Sequence, residues 1–272
     1  MTTGQSTTAM ADLRTDCTAD TDGRLTFSLR APSATGRLLL RLRPEEGQPE
    51  EVLHALDLEP AADGRPCAVL EPGPVLAEGR WDVYLVPEPG APRQRLRPGL
   101  RDLRTLVDGH LRDWPAPVAV RVPYVTRNGY LALRTWLRTA HAEVEGVDVT
   151  DRSMTVRARL HGATVGEAPA VLLRVRGGDT GRTVVPVAEK DGRGFSFTVD
   201  YGELAGDAGP GNRVWDLSVR VDGETSVRIG RLLDDVADRK DIFVLPAAVI
   251  GGVVVRPYYT VDNALSVRAD RI

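Results

Sequence analysis

Lysine is almost missing: Lys190 and Lys240 are the only two among 35 basic residues, and the rest are arginine. Because the arginines are spread along the whole chain, the skew reads as a coding bias rather than a phosphate-binding device. Histidine and cysteine are nearly as scarce, with His54, His110, His141, His161, Cys17 and Cys67 making up the whole supply. No two histidines have the spacing of a zinc-binding helix and neither cysteine has a metal-ligand neighbour, so no metal site is expected. Also absent are a Gly-x-Ser-x-Gly elbow, a phosphate loop leading a strand into a helix, and a recognisable Ser, His and acid grouping. Paired carboxylates such as Asp234-Asp235 are frequent, but at this density they read as solvated surface. These absences leave no catalytic constellation and no need for a cofactor.

Long hydrophobic runs are missing too. The longest, Val244 to Val255, is broken by Pro246, Gly251 and Gly252 and falls short of the ~20 residues of a bilayer span. It reads as two adjoining strands, so no transmembrane segment is expected. The start, Met1 to Asp16, lacks the basic-then-apolar order of a secretory leader, which points to the cytoplasm. There Cys17 and Cys67 are expected as reduced, buried thiols, although both lie in the first half, where they could pair. A formal charge of −3 and a pI near 5.9 give no electrostatic footprint for nucleic acid. What remains is a chain of 272 residues with 42% hydrophobic and 27% charged residues, enough for two globular domains with their own cores.

The chain repeats itself. Pro123-Tyr124-Val125-Thr126, followed by Leu131 and Arg134, returns 134 residues later as Pro257-Tyr258-Tyr259-Thr260, Leu265 and Arg268. The same step carries Trp81-Asp82 onto Trp215-Asp216. Leu38, Leu40 and Leu42 match Val171, Leu173 and Val175, and the turn Asp63-Gly64-Arg65 matches Asp191-Gly192-Arg193 with slightly shorter steps. A period of this size is a domain rather than a solenoid unit. Two domains are therefore expected, 10–138 and 139–272. Their starts are matched at Ala11-Asp12-Leu13 and Ala142-Glu143-Val144, and the first copy ends with a strand over Tyr130 to Leu137.

Alternation with period two dominates both copies, as at Leu25, Phe27 and Leu29, or Trp215, Leu217, Val219 and Val221. Asp22-Gly23, Asp63-Gly64, Asp191-Gly192 and Asp222-Gly223 punctuate the runs with residues that tolerate positive φ. About seven short strands per copy predict an all-β protein of two tandem immunoglobulin-like β-sandwich domains related by internal duplication. Leu100 to Leu111 and Leu232 to Ala237 are expected to form one or two helical turns at equivalent places.

Trp81 and Trp215, equivalent and in alternating strands, read as core residues. Trp114, Tyr130 and Trp136 have no aromatic counterparts in the second copy, which makes them candidates for a surface or interdomain role. The Pro-Tyr-x-Thr and Leu-x-x-Arg motif suits a structural corner first. A ligand role for Tyr124, Arg134, Tyr258, Tyr259 and Arg268 is the competing reading. His141 and Glu143 fall on one side of a strand, as an acid/base pair would, but read better as an exposed pair in the linker.

The block VVVRPYYTVDNALSVR and its weaker echo VAVRVPYVTRNGYLALR resemble the tandem immunoglobulin-like C-terminal regions of bacterial cell-wall polymer transferases, of the wall-teichoic-acid glycosyltransferase and glycerophosphotransferase type. The resemblance implies accessory modules for polymer binding or oligomerisation, with catalysis in a separate α/β domain that this chain lacks. It implies a non-catalytic module that binds a cell-wall glycan or polyol-phosphate polymer, or docks on a glycosyltransferase, at the inner membrane face through that partner. A structural, homo-oligomerising protein and a transferase-type enzyme are the alternatives.

Overall fold

The computed structural model describes residues 13–44, 52–72, 76–207, 211–222 and 225–272. The expected start at Ala11-Asp12 and the Gly223 half of the Asp222-Gly223 turn lie outside them. The chain divides into two compact units. One comprises the described residues up to Val107 together with Arg121–Thr135, the other Asp108–Val120 and Trp136–Ile272.

The architecture is all-β. The first eleven strands are β1 (Arg14–Ala19), β2 (Leu25–Leu29), β3 (Arg37–Leu42), β4 (Leu53–Asp57), β5 (Glu59–Pro60), β6 (Pro66–Leu70), β7 (Gly79–Val86), β8 (Gln94–Arg95), β9 (Arg97–Asp102), β10 (Val118–Val125) and β11 (Leu131–Arg138). They form two sheets, in the orders β5-β6-β2-β1-β9 and β10-β11-β7-β3-β4, with β8 added to β7. The next eleven are β12 (His141–Val149), β13 (Ser153–His161), β14 (Ala170–Val175), β15 (Gly181–Val184), β16 (Val187–Ala188), β17 (Gly194–Asp200), β18 (Arg213–Asp222), β19 (Thr225–Gly230), β20 (Ala248–Ile250), β21 (Val253–Tyr259) and β22 (Leu265–Arg271). Here the orders are β16-β17-β13-β12-β19 and β20-β21-β22-β18-β14-β15, and β19 also pairs with β18.

The duplication is written in the hydrogen-bond register. Trp81 lies opposite Leu133 and Trp215 opposite Val267; Arg80 faces Arg134 and Val214 faces Arg268. Leu40 pairs with Val83, and Leu173 with Leu217. The first strands run parallel to β9 and β19 respectively. One job is divided differently: in the first unit β8 pairs with β7 and β9 with β1, whereas β19 alone pairs with both β18 and β12.

Alternation places one set of side chains between the sheets. The first core gathers Phe27, Leu29, Leu38, Leu40, Trp81, Val83 and Leu133, and the second Val156, Leu160, Val171, Leu173, Phe197, Trp215, Leu217 and Val267. Each such side chain contributes roughly 1.5–3 kcal/mol when fully buried. Trp81 and Trp215 are both core, but only Trp81 has a polar partner: its Nε1 donates to Ala77 O and Thr135 Oγ1. Ala269 replaces that threonine in the second copy, and the Trp215 Nε1 is buried without an acceptor.

Val244 to Val255 contains two strands, β20 and β21, joined at Gly251 and Gly252, both with positive φ. Leu100 to Leu111 contains α1 (Arg104–Val107) and a 3-10 turn at Gly109–Leu111. Leu232 to Ala237 differs from expectation: no helix forms, and the segment runs as bends whose amides are met by side-chain carboxylates. Glu143 accepts from Leu232 and Leu233, and Asp234 from Val236. The one α-helix of the second unit, among the described residues, is α2 (Tyr201–Gly206), capped by Asp200, which accepts from Gly202 N and Glu203 N. Cys17 and Cys67 are free thiols. Cys17 faces Phe27 in the core while Cys67 pairs with the neighbouring Ser28, so alternation turns them to opposite faces.

Candidate binding face

On β7 and β18 the tryptophan points inward, so the aspartate beside it points out. Each aspartate is clamped by two arginines at matching positions. Asp82 Oδ1 accepts from Arg43 Nη2 and Arg95 Nη2, both at 2.6 Å, and from Arg43 Nε at 3.0 Å. Asp216 accepts from Arg176 Nη2 at 2.7 Å and Nε at 3.1 Å, from Arg228 Nη2 at 3.2 Å and from Ser266 Oγ at 2.8 Å. Burial alone would push the Asp216 carboxyl up, but Arg176, Arg228 and Ser266 outweigh it and hold it below the usual carboxylate range. The aspartate thus serves as a post that fixes two guanidinium forks in place.

Tyrosines stand beside these forks. In the first unit Arg95 lies over the Tyr130 ring at 4.4 Å and Tyr84 at 5.9 Å, Arg97 over Tyr130 at 5.2 Å, and Arg80 over Tyr124 at 5.8 Å. The second unit keeps a smaller version. Tyr258 is in contact with Arg176 and close enough to Arg268 to raise the arginine's affinity for its proton, behind the larger effect of Asp270.

The predicted site residues therefore separate. Tyr124, Tyr130 and Arg134 share one face of the first unit, the tyrosines half-buried and Arg134 5% exposed. Tyr258 and Arg268 share the matching face of the second, with Arg268 exposed. Tyr259 points inward, 4% exposed, edge-on to Phe243, and burial pushes its hydroxyl up to about 12. Trp136 is 1% exposed, and Trp114 is half-buried with its Nε1 donating to Gly109 O at 2.7 Å. The clamping residues Arg43, Asp82, Arg95, Arg176, Asp216 and Arg228 escaped sequence reasoning. The Trp-Asp repeat was legible, but it draws the eye to its tryptophan.

No family model and no curated protein matches this chain. Among solved structures it is similar to S. aureus TarS 217-571, with 13% identity and a TM-score of 0.39, over 70% of this chain and 44% of that one. It is also similar to a tetra-tandem repeat in the extending region of a large adhesion protein, with 11% identity and a TM-score of 0.22, over 96% of this chain and 66% of that one. The chain spans less than two thirds of either. Likenesses this loose say nothing about function.

The His141–Glu143 pair is a correction. It is not exposed: His141 is 3% and Glu143 0% exposed, and His141 Nε2 lies 2.7 Å from Glu143 Oε2. Across the ladder His141 faces His161, whose two ring nitrogens are buried without partners. Among the described residues no group of three or more metal-ligating side chains gathers, and no helix is long and apolar enough to cross a membrane.

Proposed function

We propose that this chain is a non-catalytic accessory module whose sandwich faces bind an anionic, hydroxyl-rich polymer, a cell-wall glycan or polyol phosphate. It would act in the cytoplasm at the inner membrane face, docked on a glycosyltransferase. The observation that carries the reading is the duplicated Arg–Asp–Arg clamp beside the tyrosine of each Pro-Tyr-x-Thr motif. A guanidinium fork suits the oxygens of a phosphodiester, and a tyrosine ring offers a flat apolar face to a sugar or alditol.

The test is calorimetric titration with poly(glycerol phosphate) and with uncharged dextran at low and high salt. Binding of the charged polymer alone, weakening as salt rises, is the expected result. Arg95→Ala with Arg228→Ala should weaken it by about tenfold, or roughly 1.4 kcal/mol, with unchanged circular dichroism. Equal binding of dextran, or none of either polymer at millimolar repeat concentration, sinks the reading.

Homo-oligomerisation is the second reading, favoured by strand β20 at a sheet edge, where Val249 is 64% exposed. Light scattering of the wild type and Val249→Lys decides it, an unchanged monomer in both counting against it.

A further inference from the structure

The two copies of the arginine clamp have diverged, and strand register shows where. Arg95 lies across the ladder from Tyr84 as Arg228 lies across from Ser218, and Asp82 faces Ala132 as Asp216 faces Ser266. At the hairpin corner, the residue whose amide Thr126 accepts is Tyr130, and its counterpart at Thr260 is Ala264. The first unit thus has two tyrosine rings where the second has a serine and an alanine, and the second has a hydroxyl where the first has a methyl group.

These exchanges change what the arginines have left to offer. In the second unit both Asp216 oxygens are engaged: Oδ2 accepts from Arg176 Nε, and Oδ1 from Arg176 Nη2, Arg228 Nη2 and Ser266 Oγ. Arg268 beside them is paired with Asp270 at 2.6 Å, an acid that stands where the first copy has Trp136. In the first unit both forks converge on Asp82 Oδ1. Among the described residues, Nη1 of Arg43 and both Nη1 and Nε of Arg95 make no hydrogen bond. Arg95 is held instead by its one bond to Asp82 and by the Tyr130 and Tyr84 rings at 4.4 and 5.9 Å. The Arg43 and Arg95 side chains are 37% and 27% exposed, against 52% and 37% for Arg176 and Arg228, so water screens an anion less at the first clamp.

We infer that the first unit carries the principal anion site, where a phosphodiester group accepts from the donors that Arg43 and Arg95 do not spend on Asp82, while the second clamp serves mainly as a structural tie. Tyr84 and Tyr130 are positioning residues: by holding the Arg95 fork in place before the ligand arrives they reduce the freedom lost on binding. The inference rests on the reading of these faces as anion-binding and assigns that binding to one of the two.

The test titrates glycerophosphoglycerol, one phosphodiester between two polyols, into the full 15N-labelled chain and follows the backbone amides of both units. Amides of β7, β8 and β11 should saturate at about tenfold lower concentration than those of β18, β19 and β22, in the millimolar range of so small a ligand. Arg95→Ala should weaken the first response about tenfold and leave the second, and Arg228→Ala should leave the first. Tyr130→Ala should weaken the first response about threefold, with Tyr130→Phe restoring it because the ring is kept. The tyrosine pair carries the test if the arginine variant fails to fold. Equal saturation of the two units, or earlier saturation of the second, overturns the inference and leaves the anion-binding reading standing. Silence in both units up to about 100 mM overturns it alone if poly(glycerol phosphate) still binds, and overturns both readings if the polymer does not.

Discussion

His161 is a buried imidazole that binds its proton poorly. Burial is the main cause, aided by the charges of His141, Arg159 and Arg193, and its pKa falls from 6.5 to about 4. In the unfolded chain the same ring takes a proton below about 6.5. Between those values the unfolded state holds more protons, so stability rises with pH across this window and is lost as pH falls from 6.5 towards 4. The slope from this group is at most about 1.4 kcal/mol per pH unit. Urea midpoints of wild type and His161→Leu at pH 4.5 and 7 should converge for the variant. A wild-type midpoint flat over the window would refute the assignment. Glu143 makes a sharper point: Glu143→Ala leaves Leu232 N, Leu233 N and His141 Nε2 without an acceptor. At roughly 1–3 kcal/mol per orphaned buried donor, the three together give an expected loss of about 3–9 kcal/mol, read as a lower thermal midpoint.

At the scale of elements, the Pro-Tyr-x-Thr motif proves to be a hairpin corner. Thr126 N donates to Tyr130 O and Thr126 Oγ1 accepts from Tyr130 N; Thr260 makes the same two bonds with Ala264. The penultimate turn residue needs positive φ, met by Gly129 at 75° and Asn263 at 57°. Threonine-to-valine exchange removes the Tyr130 N bond at Thr126 and the Asp262 N and Ala264 N bonds at Thr260, and should cost about 1 kcal/mol per bond. Asn263→Ala should cost more, about 2–4 kcal/mol, because it strains φ and frees both Arg239 N and Val236 O. Chemical denaturation of the variants ranks the effects, and equal losses would contradict this account. The corner beneath Asn263 also holds the buried Arg239, paired with Asp234 and lying over Phe243 and Tyr259 at 4.8 and 5.8 Å. That packing draws Tyr259 inward while its neighbour Tyr258 stays at the face.

For the whole molecule, two separate cores imply two separately breakable units. Leu40 and Leu173 hold the same place in the register and are 0% and 1% exposed. Leu→Ala at either should cost about 2–5 kcal/mol. Amide exchange should accelerate mainly in the strands of the altered unit, Leu40→Ala acting on β2, β3 and β7, and Leu173→Ala on β13, β14 and β18. Uniform acceleration across the chain from either variant would mean one cooperative fold and would remove the proposed division into domains.

Local chemistry made most of the fold legible. Period-two alternation marks strands because side chains of a strand face opposite ways, and a repeated motif must occupy a repeated place. From these alone follow the all-β class, the inward Trp81 and Trp215, and the Gly251-Gly252 turn. The clamp around Asp82 and Asp216 was hidden because its two arginines, one from the end of β3 or β14 and one from β8 or β19, are brought to the aspartate strand by register, not by sequence spacing. The same cause concealed the buried His141–Glu143 pair. Only when the backbone of Leu232 and Leu233 folds over it does the carboxylate acquire the donors that make its burial tolerable.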